Sequence, residues 1–305
     1  MIRRLLLSLG ALAVVLVLLA GATIAIVVWR AHVAAREGAA QLAVVRSLQA
    51  PIVNAASGAP VLILLHGAGL NAHMWDPVRR HLDPALRVIA LDLPGHGIHR
   101  DEVYSLDGAA AAVLTAARSV APARVVLIGD SLGGFTAMWA APLLPRAELA
   151  GLVLEGATGN VSRVGEISLL SQWLLVRALG VFVPQQKLAA LALGRFNISK
   201  ADTGAILAGG VGFGAIGPAA LSLAGVDFRS RLSTVAAPLL IINGLRDRPA
   251  IAGQASFAAA VPHATILNFD CPHGVNLYRP AAFAAAVNAF VHRIAQASGS
   301  GGNST

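Results

Sequence analysis

The sequence predicts an α/β protein: a mostly parallel, doubly wound sheet with an inserted helical cap, preceded by an N-terminal transmembrane helix. Three observations carry that prediction. Short apolar, β-branched runs alternate with helix-like stretches along most of the 305 residues, the pattern of a parallel sheet covered on both faces. The alternation lapses once, between Gly159 and Ser230, where an inserted unit fits. The chain also opens on a long run, Leu5 to Trp29, that carries no charged residue.

Composition excludes several function classes. With 56% hydrophobic and 12% charged residues, the chain is no disordered or acidic solvating polymer, which requires low hydrophobicity and high charge. Its single cysteine, Cys271, excludes an intrachain disulfide framework and a Cys-rich zinc module. The 23 basic and 15 acidic residues give a net charge of +8. That charge is scattered, with Arg3-Arg4 and Arg79-Arg80 its densest clusters, whereas a nucleic-acid binder concentrates it in a stripe or patch. No nucleic-acid partner is expected.

Leu5 to Trp29 would form about 38 Å of helix at 1.5 Å per residue, enough to span a bilayer core of about 30 Å with some tilt. Arg3 and Arg4 precede it and Arg30 follows. A signal peptide cleaved near Ala20-Gly21-Ala22 is the rival reading, but Thr23 to Trp29 continues apolar beyond an ordinary signal core. Residues 1–30 are therefore read as an uncleaved anchor, with the catalytic domain expected on the extracytoplasmic side. Positive charge is nearly balanced across the run, so the orientation rule leaves that side weakly specified.

Residues 31–49 form an Ala-rich connector, and short strands are conceivable at Ala43–Val45 and Pro51–Val53. The sheet is then expected from Val61–Leu65, Val88–Leu91, Val125–Ile128, Leu152–Leu154, Leu239–Ile242 and Thr265–Phe269, with helices at Asp107–Arg118, Leu132–Leu144 and Ala281–Ile294. Residues 50–158 and 231–297 make the core, 159–230 the cap and 298–305 a Gly/Ser-rich flexible tail. Within the cap, Thr203 to Val226 is uncharged and long enough to cross a membrane. A crossing there would put the flanking strands on opposite sides of the membrane and split the sheet, so buried cap helices are expected.

Chemistry gathers at three places. Gly129-Asp130-Ser131-Leu132-Gly133 directly follows one apolar strand and precedes a helix-like stretch, the strand–turn–helix context of a nucleophile elbow. Ser131 is the candidate nucleophile. Asp247 lies just past the strand Leu239–Ile242, where a carboxylate faces the crevice at the carboxyl end of an open sheet; Glu155, just after Leu152–Leu154, is the rival acid. His273 follows the last strand, with Asp270 three residues away as a structural carboxylate. His66 and His96 sit in Gly-flanked turns and read as turn-orienting residues. His32, His73, His81, His263 and His292 belong to no motif. His96 and His99, with Asp92 and Asp101, have a spacing compatible with metal ligation, but no further convergent ligand is legible; no metal is expected.

Ser131, Asp247 and His273 thus occur in the order Ser–Asp–His, and the chain resembles the α/β-hydrolase superfamily over about residues 50 to 295. Leu65-His66-Gly67-Ala68-Gly69 followed by Trp75, and Asp92-Leu93-Pro94-Gly95-His96-Gly97, are similar to its motifs after the corresponding strands. The resemblance implies an oxyanion hole from the backbone N–H groups of Ala68 and Leu132, and no cofactor. Pro272, where the family often has Gly, and His99, in place of a small polar residue, depart from the pattern, and the N-terminal strands look abbreviated.

The function expected is hydrolysis of a carboxylic ester through an acyl-enzyme on Ser131. A small ester or lipid-like molecule is the expected substrate, and Leu169, Leu170, Trp173, Leu174, Leu175, Phe182 and Val183 in the cap either line an acyl pocket or simply pack against the sheet. An acyltransferase or C–C bond hydrolase with the same triad, and a non-catalytic membrane-anchored scaffold on this fold, are the alternatives.

Overall fold

The computed structural model describes the backbone of residues 2–47, 58–161 and 163–300, and most side chains from residue 21 onward. Its centre is a six-stranded sheet formed by β1 Val61–Leu65, β2 Val88–Leu91, β3 Val125–Asp130, β4 Leu149–Glu155, β5 Leu239–Gly244 and β6 Thr265–Phe269, in the order β2-β1-β3-β4-β5-β6. Every neighbouring pair is parallel. Chain order reverses between β1 and β3, and the crevice beyond the carboxyl ends of the strands at such a switch point is where open α/β sheets bind ligands.

Alternate residues of the central strands feed two cores. Val61, Ile63, Leu65, Val125, Leu127, Leu152 and Leu154 face one core, and Leu62, Leu64, Val126, Ile128, Val153, Leu240 and Ile242 face the other. Burial on both faces is why these strands read as unbroken apolar runs rather than alternating ones. The edge strands β2 and β6 are more open.

The helices are α1 Ile2–Ser47, α2 Asp76–Arg79, α3 Leu106–Ser119, α4 Leu132–Ala140, α5 Arg163–Leu179, α6 Gln185–Leu193, α7 Lys200–Gly209, α8 Ile216–Leu223, α9 Phe228–Leu232, α10 Arg248–Ala260, α11 Val275–Tyr278 and α12 Pro280–Ser300. All six expected strands are present, three of them running further than the apolar residues alone: β3 continues to Asp130, β4 begins at Leu149 and ends at Glu155, and β5 continues to Gly244.

The connector differs from expectation. Residues 31–47 continue α1 without a break, so Ala43–Val45 is helix, not strand. Ala34 and Leu42, spaced by roughly two helical turns, are buried, and a side-chain carbon at Gly38 would sit 2.4 Å from Ser105 Oγ, so the helix backbone lies directly on the start of α3. Arg118, at the end of α3, donates to Val45 O at 2.8 Å. Pro51–Val53 lies outside the described residues. Among the described residues no single helix is long and apolar enough to cross a membrane; most side chains of Leu5–Trp29 ahead of Gly21 lie outside them.

The insertion between β4 and β5 is helical, α5 to α9, and its ends are stitched together by an isolated bridge between Asn160 and Asp227. The uncharged Thr203–Val226 segment folds as α7 and α8, with Lys200–Gly209 and Phe213–Leu223 bent by 64°. Ile206 enters one core, and Ala219 and Leu223 the other. The strands on either side share one sheet, as expected of a buried segment. Ser298–Ser300 close α12, and the rest of the expected tail lies outside the described residues.

Candidate active site

The turn joining β3 to α4 forces Ser131 into φ 50°, the only positive φ at a non-glycine among the described residues. Such a conformation costs a β-carbon-bearing residue about 1–3 kcal/mol. It survives because its surroundings over-determine it. A side-chain carbon at Gly129 would lie 2.3 Å from the Gly133 carbonyl carbon, and one at Gly133 would lie 2.0 Å from Leu65 O. Only glycine fits at either position, which is the physical content of Gly-x-Ser-x-Gly. Ser131 N–H donates to Glu155 O at 2.8 Å, fixing the turn to the end of β4.

Asp247 caps the N-terminus of α10, accepting from Ala250 N–H at 3.3 Å through Oδ1. Its other oxygen, Oδ2, accepts from His273 Nδ1–H at 2.5 Å. The carboxylate can only accept, so the bond assigns the proton to Nδ1 and leaves Nε2 as the basic nitrogen. The His273 ring lies against Gly156, the residue after Glu155. Burial disfavours its imidazolium, but the Asp247 hydrogen bond and the nearby charges of Asp130 and Asp247 outweigh it and hold the His273 pKa above the ordinary value.

Geometry separates the two candidate acids. Asp247 contacts the imidazole, whereas Glu155 turns into the core below and accepts from Asn276 N–H at 3.2 Å. Asp270 pairs with Arg246 at 3.2 Å on the surface. Ala68 and Leu132 follow the carboxyl ends of β1 and β3, and among the described residues neither backbone N–H has a protein acceptor.

A family model for the alpha/beta hydrolase family matches residues 62–286. The chain belongs to that family. This hydrolase is 30% identical over 232 residues to the pimeloyl-[acyl-carrier protein] methyl ester esterase of Xanthomonas campestris, covering 69% of this chain and 86% of the relative. It is 43% identical over 91 residues to an esterase of Mycobacterium tuberculosis, covering 28% of this chain and 30% of that protein. Among solved structures, E-2-(acetamidomethylene)succinate hydrolase superposes with a TM-score of 0.65 at 21% identity, over 77% of this chain and 92% of that one. The enol-lactonase of Burkholderia xenovorans does so with a TM-score of 0.61 at 22% identity, over 77% and 92%.

In this hydrolase the paired histidines hold the loop that carries Ala68. His66 Nε2 accepts from Leu93 N–H and His96 Nε2 accepts from Gly69 N–H, both at 3.0 Å. Their Nδ1–H groups donate to Gly67 O at 2.9 Å and Pro94 O at 3.0 Å. The rings meet edge to face with centroids 4.8 Å apart. Burial lowers the pKa of His66 to about 4 and, with the neighbouring His66 contributing, that of His96 to about 3. Both stay neutral at physiological pH and keep the acceptor nitrogen each bond needs. Three of the four residues with metal-like spacing, His96, Asp92 and His99, are otherwise engaged. Asp92 accepts from Ala72 N–H and Ile98 N–H at 2.7 and 3.0 Å, and His99 pairs with Glu102 at 2.7 Å.

One feature of the site was not anticipated. Asp130 and Glu155 stand opposite each other in the β3–β4 register, both buried, with Asp130 Oδ1, Glu155 Oε2 and the Asn276 side-chain amide unpartnered among the described residues. Burial raises the Asp130 pKa to about 6, with His273 opposing. Burial, then the charge of Asp130, pushes Glu155 well above its ordinary value. Two facing carboxyls in one apolar setting do not both ionise. The signal in the sequence was an Asp inside the elbow motif and a Glu ending the adjacent strand, but their alignment requires the register.

Proposed function

We propose that this hydrolase is a serine esterase whose nucleophile is Ser131, general base His273 and orienting acid Asp247. The observation that carries the reading is the 2.5 Å bond from His273 Nδ1–H to Asp247 Oδ2, at the sheet edge where the strained elbow presents Ser131. Ser131 Oγ attacks the ester carbonyl as its proton passes to His273 Nε2. Asp247 stabilises the imidazolium without taking the proton. The unpaired N–H groups of Ala68 and Leu132 receive the developing oxyanion, typically the larger electrostatic contribution. His273 then protonates the departing alkoxide, the acyl group stays on Ser131, and water activated by the same imidazole releases the acid. A carboxylic ester as substrate class is supported by the likeness to esterases.

Incubation of the purified protein with a fluorophosphonate tests this directly. Ser131 is expected to carry the label, with turnover on a panel of chain-length esters. An unlabelled Ser131 in folded protein overturns it, and transfer to alcohol acceptors in preference to water would favour the acyltransferase. The same panel separates both from a silent scaffold.

The domain is further proposed to be held at a membrane by Leu5–Trp29, on the extracytoplasmic side. Support comes from the absence of charge in that run and from Ile24, Ile26 and Trp29, large apolar residues that the rest of the protein leaves exposed. Retention of full-length protein on membranes through a carbonate wash is the expected result; a mature N-terminus at Thr23 would establish a cleaved signal instead.

A further inference from the structure

The direction of α1 fixes which side of the domain an anchor would approach. Its Gly38 lies on Ser105 and Gly108 at the start of α3, and its Val45 receives the Arg118 hydrogen bond at the end of α3. The two helices therefore run side by side in the same sense. Because α3 begins after the carboxyl end of β2 and ends before the amino end of β3, α1 upstream of Gly38 points past the carboxyl edge of the sheet. Trp29, Arg30 and Val33 accordingly share a groove with Pro94, Asp101 and Glu102, in the segment between the carboxyl end of β2 and α3. Ser131, Asp247 and His273 all sit at that edge.

The cap adds an outer layer on the same side. Phe213 covers Gly69 and Ala215 covers Gly95, so the turn before α8 lies on the two loops beyond β1 and β2. Trp173 of α5 in turn packs on Gly217 of α8. Outward of these contacts, the α5–α6 segment exposes Leu175, Val181, Phe182 and Leu191 at 60, 77, 85 and 80%. Four large apolar side chains so open within one short segment are more than the scattered exceptions of an ordinary surface. Around them, residues 163–200 carry Arg163, Arg177, Lys187, Arg195 and Lys200 against the single acid Glu166, a balance that suits anionic headgroups.

We propose that the catalytic edge faces the bilayer and that the exposed apolar residues of the α5–α6 segment rest in the bilayer surface, so that ester substrates reach Ser131 from the lipid phase. The proposal rests on the anchor reading and adds the orientation and the lipidic class of substrate. Environment-sensitive labels at Phe182→Cys and, on the opposite edge, at His263→Cys test it in full-length protein reconstituted into phosphatidylcholine–phosphatidylglycerol vesicles; Cys271, the native thiol, is buried. The label at 182 is expected to shift to the blue and be quenched by nitroxide-bearing lipids, and the label at 263 to do neither. A water-like signal at 182 in vesicle-bound protein overturns the orientation. Protein that washes off the vesicles in carbonate overturns the anchor and the orientation together, while turnover of a water-soluble ester reports separately on the esterase reading. As a second readout, Val181→Asp with Phe182→Asp should lower the ratio of vesicle-borne to water-soluble ester turnover about fivefold. An unchanged ratio with unchanged thermal stability counts against the proposal.

Discussion

At the scale of single residues, the site is a set of protons placed by burial. In the proposed mechanism Ser131 is inert until His273 accepts its proton, so Ser131→Ala or His273→Ala should lower ester hydrolysis by about four to six orders of magnitude, and Asp247→Asn somewhat less. Losses in a Ser131→Ala/His273→Ala double variant should not add, because the two act as a unit; steady-state kinetics on the folded variants checks both statements. Asp130 makes a separate prediction. It keeps its proton up to about pH 6 in the native protein, whereas a free carboxyl loses it near pH 4. The native state therefore binds more protons through that window, and stability falls as pH rises across it. Asp130→Asn should flatten that dependence and raise stability at pH 8 by on the order of 2 kcal/mol, measured by denaturant unfolding at pH 4 and pH 8. The same change removes a charge that favours the His273 imidazolium. A base must be neutral to act, so the acidic limb of kcat/KM should move to lower pH in this variant.

At the scale of elements, strands supply position and loops supply function, and each loop needs its own brace. The Ala68 loop is braced by His96, whose replacement by Ala removes the acceptor for Gly69 N–H and the ring contact with His66. If Ala68 serves as the proposed oxyanion donor, His96→Ala should lower kcat by up to about 100-fold, the lower end of the cost of losing such a donor, with KM little altered. The cap resolves a choice that its sequence leaves open. Trp173 fits a pocket or a packing role equally, because an apolar helical stripe has the same pattern whether it faces a ligand or a neighbouring helix. In the fold it is 4% exposed and packed on Gly217, while Leu175 and Phe182 face outward. Trp173→Ala should therefore lower stability by about 3 kcal/mol or more and affect acetate and decanoate esters alike, as thermal melts beside a chain-length series would show. The central strands were legible because burial on both faces favours unbroken apolar runs, and the elbow was legible because steric demand requires glycine two residues before and two after Ser131. Choosing Asp247 over Glu155 was not settled by position, since both follow a strand end; only the side-chain direction, seen in the hydrogen bond to His273, separates them. Ala43–Val45 misled because three residues are too few to distinguish a period of two from one of 3.6.

At the scale of the whole molecule, the proposed anchoring gives α1 two environments. Its upstream half carries the uncharged run, and its downstream half is part of the hydrolase domain, with Leu42 in the core shared by α3, α4 and the sheet. A flexible tether would let the domain tumble at the end of its anchor, whereas a helix docked at Ala34, Gly38 and Leu42 holds one face toward whatever the upstream half enters. Truncation separates the two roles. Removing residues 1–30 deletes the apolar run but keeps Ala34, Gly38, Leu42 and the carbonyl of Val45 that receives the Arg118 bond. That variant is expected to be soluble, to melt within a few degrees of the full chain in detergent, and to retain turnover on a water-soluble ester. Removing residues 1–47 uncovers the face of α3 beneath Gly38 and leaves the Arg118 guanidinium without its acceptor. Burial lost at Leu42, about 1.5–3 kcal/mol, and at Ala34, about 0.8 kcal/mol, together with the lost hydrogen bond to a charged group, about 1.5–3 kcal/mol, take a large share of an ordinary domain's 5–15 kcal/mol. The longer truncation should melt at least 10 °C lower or aggregate. Equal melting temperatures for the two variants would mean that α1 is not part of the folded domain, and the fixed orientation would fall with it.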